Sequence, residues 1–152
     1  MVTRRWHGFS DELPLTASQV AQTEEEYRDY IRELARRLPP SLRRLAGLTP
    51  DPVVLHDARV ARWHDGRPRS LTLEIVWHDQ RRDRQASIVY RGAVELVGSD
   101  GDRLAVWLGD PETELLYDEI DAVADGRWEH RHLLWPAGEF AVRFAELDLV
   151  SD

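Results

Sequence analysis

His130 and His132 form a His-x-His pair within residues 127–135, a stretch that alternates as a strand does. On an extended strand the two imidazoles share one face, about 7 Å apart, a spacing that strand-based metal sites use. A third ligand would have to come from elsewhere, with Glu95, Asp118 and His56 available. Trp128 and Leu134 fall on the same face. The pattern therefore also describes amphipathic side chains that fill a partly buried surface and hydrogen-bond to their neighbours.

Three His-Asp dipeptides, His56-Asp57, His64-Asp65 and His78-Asp79, bring an imidazole and a carboxylate together in sequence. Such pairs are raw material for metal ligation and acid–base chemistry. On a strand, however, adjacent side chains point to opposite faces, so neither partner reaches a shared ion without a bend. His64-Asp65-Gly66 reads as a turn, and His78-Asp79 falls where strand patterning gives way to a polar run. The alternation around His56 places it on the more apolar side of a strand starting at Val53, with Asp57 opposite. The expectation there is a buried His56, and an Asp57 that ties the strand to a loop or an arginine.

A third group, Asp118, Glu119 and Asp121, follows Tyr117. Paired carboxylates can serve hydrolysis or hold a divalent cation, but no calcium-loop spacing is present. Negative charge on an exposed strand edge also discourages edge-to-edge pairing, which is reason enough for the cluster. A Gly-rich phosphate loop, a G-x-S-x-G elbow and an H-E-x-x-H helix are all absent from the sequence.

The elements that must position these groups change character along the chain. Residues 18–38 carry Val20, Tyr27, Tyr30, Ile31, Leu34 and Leu38 on one helical stripe. Thr23-Glu24-Glu25-Glu26 has the form of a capping box, Arg36 and Arg37 suit the helix C-terminus, and Pro39-Pro40 ends the run. Residues 41–46 predict a short second helix. From Val53 the period becomes two. Residues 71–77 alternate, residues 87–97 form an aliphatic strand that Gly92 should bend, and residues 104–108 read as a short strand. Residues 115–123, 127–135 and 139–149 predict a three-strand meander. Helical spacing also fits 115–123, with strand preferred.

The chain has 152 residues, 42% of them hydrophobic, which supports one globular domain over 1–152, with a helical part at 1–50 and a sheet part at 51–152. A formal charge of −8 argues against a nucleic-acid binder, which normally shows a net basic surface or stripe, and makes a basic protein the easier partner. With no cysteine there is no disulfide framework or thiolate zinc site. The polar residues 1–9 predict neither a signal peptide nor a membrane span, so a cytoplasmic protein is expected. All twenty basic residues are Arg, and Asn is also absent, a coding bias rather than a physical requirement. Of six tryptophans most should be core, and Trp6, near the terminus, is the one least needed by the sheet and a candidate for binding.

Leu55-His56-Asp57-Ala58-Arg59-Val60, Leu71-Thr72-Leu73-Glu74, Tyr90-Arg91-Gly92-Ala93 and Glu114-Leu115-Leu116-Tyr117-Asp118-Glu119 carry a resemblance, together with Trp128-Glu129-His130-Arg131 and Val142-Arg143-Phe144. They look like an uncharacterised bacterial family, a domain of unknown function with an LHDA-type motif. A similar His-Asp opening occurs in some immunity proteins of bacterial toxin systems. The resemblance spans residues 55–149 and brings no catalytic residue with it.

The sequence thus predicts an α+β protein, with an N-terminal helix and a short second helix packed on a mainly antiparallel, strongly twisted sheet that ends in a meander. It predicts a non-enzymatic protein-binding module without a cofactor, immunity-like, monomeric or homodimeric, with no membrane. Candidate binding residues are His56, Asp57, Trp6, Asp118, Glu119 and Asp121. The alternatives are a metal-dependent hydrolase or small-molecule binder holding a divalent transition metal on His130 and His132, and a homodimeric scaffold or regulatory protein.

Overall fold

A computed structural model describes residues 17–152, and Trp6 lies outside them. The chain divides into two compact units between Pro39 and Pro40, the proline pair expected to stop the first helix. In the first unit, helix α1 (Ala17–Leu34) carries Ile31 and Leu34 buried on the predicted stripe, with Leu38 buried just beyond it. Its charged face is laced by the Arg32–Asp29 pair at 2.8 Å. None of the helices described is long and apolar enough to cross a membrane.

The second unit opens with helix α2 (Pro40–Leu45), where proline occupies the first position and so loses no needed donor. Eight strands follow: β1 (Ala58–Gly66), β2 (Ser70–His78), β3 (Asp83–Arg91), β4 (Glu95–Val97), β5 (Glu114–Ala122), β6 (Trp128–Trp135), β7 (Glu139–Phe144) and β8 (Glu146–Ser151). Helix α3 (Gly101–Gly109) lies between β4 and β5. The fold is α+β, every pairing is antiparallel, and β5, β6 and β7 form the expected meander.

The pairings close on themselves. β3 pairs with β8 while β4 pairs with β7, so β3/β4 is one long strand bent at Gly92-Ala93 and β7/β8 is another bent at Ala145. Following the partners from β1 through β2, β3/β4, β8/β7, β6 and β5 returns to β1, which makes a six-membered antiparallel barrel. Closure removes most of the open edge that a flat sheet would expose. The β1–β5 seam is short, pairing Ala58 with Leu115 and Arg59 with Glu114, and α3 packs against β1 nearby.

Two segments after β4 differ from the sequence expectation. Residues 104–108 are helical rather than extended. Asp100 caps α3 by accepting from the Arg103 N–H at 2.8 Å, and Leu104 and Leu108, one turn apart, are the buried pair. The predicted strand at 139–149 breaks at Ala145, and its second half crosses to β3.

The two bends abut. Gly92 has φ +78°, and a β-carbon there would lie 2.7 Å from the Ala145 Cβ. Gly92→Ala therefore combines left-handed strain with a clash, and is expected to lower the unfolding free energy by about 2 kcal/mol or more. Urea unfolding checks this, and an unchanged midpoint would mean that the bends are not in contact.

Candidate functional site

The interior face of β6 presents His130 and His132, both fully buried. In register, His130 lies between Ile120 of β5 and Val142 of β7, and His132 between Asp118 and Phe140. From β3, separated from β6 by the β7/β8 strand, Tyr90 reaches both imidazoles. Its hydroxyl is 2.8 Å from His130 Nδ1 and 3.1 Å from His132 Nε2. His130 Nε2 is in turn 2.9 Å from Asp118 Oδ2. The His132 ring stacks on Phe140, with centroids 4.6 Å apart.

One set of tautomers satisfies this chain: the Asp118 carboxylate accepts from Nε2–H of His130, whose Nδ1 then offers a lone pair. The Tyr90 O–H donates to that lone pair, and the Tyr90 oxygen accepts from Nε2–H of His132. His132 Nδ1 is left as a bare acceptor, buried and without a hydrogen-bond partner. Burial, and then the neighbouring His130, hold His132 well below the usual imidazole range. Burial, and then the Asp118 carboxylate, push the Tyr90 hydroxyl well up. The chain thus runs from a neutral imidazole at the centre to Asp118, whose side chain retains 22% exposure and is the point of contact with solvent.

Both nitrogens of His130 are engaged, so this imidazole keeps no lone pair for a metal without breaking a bond. Among the described residues, no group of three or more His, Asp or Glu side chains is placed to hold a metal ion.

The predicted carboxylate cluster is split by strand alternation. Asp118 faces the interior, while Glu119 and Asp121 lie on the other face of β5. Glu119 and Asp121 are buried rather than displayed on an exposed edge, which corrects the expectation for them. The physical reason is register: Glu119 stands opposite Arg131 and Asp121 opposite Glu129, inside a paired region of sheet. Glu129 binds Arg143 Nε at 2.6 Å and Arg131 Nη2 at 2.5 Å.

His56 and Asp57 are also corrected. β1 starts only at Ala58, and residues 56 and 57 form a turn in which Ala58 N–H donates to Leu55 C=O at 3.0 Å. Asp57 takes φ +62°. Val53 and Leu55 are buried while the His56 and Asp57 side chains are exposed, at 63% and 67%, with His56 Nδ1 2.9 Å from Asp57 Oδ2. The pair meets, but in solvent. The other two dipeptides serve turns: Asp65 binds the Arg67 backbone N–H and guanidinium, and Asp79 accepts from the N–H groups of Arg81 and Arg82.

Sequence reasoning missed Tyr90 as a member of the site. Its signal was a tyrosine on the alternating, buried face of an aliphatic strand, where the hydroxyl must find a polar partner. A separate groove of about 460 Å³ lies on the outside of β1, β2, β3 and β8, between Arg62, Glu74, Ser87 and Val150, and includes none of these groups.

No protein-family model matches this chain, and no similar curated protein or solved structure was found for it.

Proposed function

We propose that this chain is a non-enzymatic protein-binding module that holds a basic protein through its acidic surface, as an immunity or antitoxin-like protein would. The observation that carries the reading is the division of ionisable groups. His130, His132, Tyr90 and Asp118, the groups with the most chemical potential, bind one another through the barrel interior, whereas exposed carboxylates such as Asp102, Asp110, Glu112 and Glu139 put negative charge on the outside of a chain of net charge −8. A surface of this sign steers a cationic partner and repels copies of itself. The likeness of residues 55–60 to the opening of some bacterial immunity proteins supports the reading, and a chain without cysteine suits a reducing cytoplasm.

Affinity capture from a lysate of the source organism tests it. A stoichiometric protein with pI above about 9, retained at about 50 mM salt and released near 0.5 M, is the expected result. Capture of no stoichiometric partner, or of an acidic one, would sink the proposal.

A further inference from the structure

Many carboxylates of the second unit meet an arginine: Asp51 meets Arg44 and Arg84, Asp65 meets Arg67, Asp148 meets Arg91, and Glu95 meets Arg127. One corner departs from it. Gly138, in the β6–β7 turn, abuts the Trp107 ring of α3, so close that a β-carbon would lie 2.7 Å from it. Trp135 stands opposite Glu114 in the register, immediately after the loop that leaves α3. The end of α3, the 110–113 loop and the 135–139 turn are thereby brought to one corner of the barrel. There Trp135 is 57% exposed and Val106 is 73% exposed.

α3, the 110–113 loop and the 135–139 turn also carry Asp102, Asp110, Glu112 and Glu139, all exposed. Asp102 sits one turn before Val106 and so on its side of the helix, while Asp110 follows α3 as its C-cap. None of the four has an ion-pair partner among the described residues, and α3 itself brings one cation, Arg103. An exposed tryptophan with an apolar neighbour and a charged rim has the anatomy of an interface hot spot. The charge selects the occupant. A second copy would bring carboxylates against carboxylates across the two-fold axis, whereas a basic protein would neutralise them.

We infer that the Trp135–Val106 corner is the docking surface for the basic protein, with Trp135 as the apolar anchor and the surrounding carboxylates as the selective rim. This rests on the protein-binding reading above.

The test places a photo-crosslinking residue at Ala137, which is exposed beside Trp135, and as a control at Glu25 on α1. Irradiation in source lysate should give an adduct from position 137, absent from position 25, with a protein of pI above about 9. With that protein purified, Trp135→Ala should weaken binding about 30-fold. Asp110→Arg combined with Glu112→Arg should weaken it about 10-fold or more, while Glu25→Arg with Glu26→Arg leaves it within about twofold. Binding unchanged by Trp135→Ala and by the double reversal would overturn the assignment of the surface and leave the protein-binding reading standing. So would an adduct from position 137 that proves to be a second copy of this chain. Failure of wild-type protein to bind any basic protein removes the reading and the surface together.

Discussion

Glu129→Ala is expected to lower the unfolding free energy by about 3 kcal/mol, near the lower end of the range of about 3–5 kcal/mol for breaking a buried ion pair. Glu129 is 1% exposed and binds Arg131 and Arg143 at once, so its removal leaves two guanidinium groups without that carboxylate. Arg131 is deeply placed and bears most of the cost, whereas Arg143 is 38% exposed and recovers hydration, which argues for the lower end. Glu129→Gln keeps the volume and part of the hydrogen bonding, and should lose about half as much. Urea denaturation at neutral pH measures both. A loss under about 1 kcal/mol for Glu129→Ala would show that water already solvates this pair.

The same pair shows what a sequence displays and what it conceals. Periodicity found α1, α2, β2, the bend at Gly92 and the three strands from 114 to 144, because each buries one face and the pattern along the chain records which. It failed at residues 104–108, where Leu-Ala-Val-Trp-Leu fits either an extended run or one helical turn. There the Asp100 cap and the Leu104–Leu108 spacing decide for helix. His130 and His132 were legible as two imidazoles on one face, and burial of that face was legible from Trp128 and Leu134. Their partner was not, since Tyr90 comes from a strand that is no neighbour of β6 and meets it only because the barrel closes. Closure depends on Gly92 and Ala145 bending in concert, a long-range fact without a local period. Glu119 and Asp121 misled for a related reason: charge normally marks solvent, and only register reveals that Glu119 stands opposite Arg131 and that Glu129, opposite Asp121, faces Arg143 on its other side. His56 misled because a turn, rather than a strand, follows Leu55.

Tyr90→Phe is expected to cost about 2–4 kcal/mol, since it removes one hydroxyl but strands two buried groups, Nδ1 of His130 and Nε2 of His132. Shape is otherwise conserved, so the loss reports the hydrogen-bond chain rather than a cavity. The pH dependence separates the members of the chain. His132 titrates well below its unfolded value, so above about pH 6.5 it is neutral in both states and contributes no slope. As pH falls through about 6.5, the unfolded chain takes up a proton that the folded barrel refuses, and stability declines. Asp65, held below the usual carboxylate range mainly by Arg67, adds its own loss only at lower pH, below about 4. Tyr90 is raised, so its unfolded form ionises first above about pH 10 and stability falls again on the alkaline side. His132→Phe keeps the stacking on Phe140 and removes the bare Nδ1, so it should flatten the decline between about pH 6.5 and 5 at a cost of about 1 kcal/mol at pH 8. Tyr90→Phe should leave that acid slope in place and abolish the contribution above pH 10. Urea unfolding from about pH 5 to 10.5 resolves the two. An acid slope that survives in His132→Phe would assign it to another group and refute the neutral, proton-refusing imidazole at the centre of the barrel.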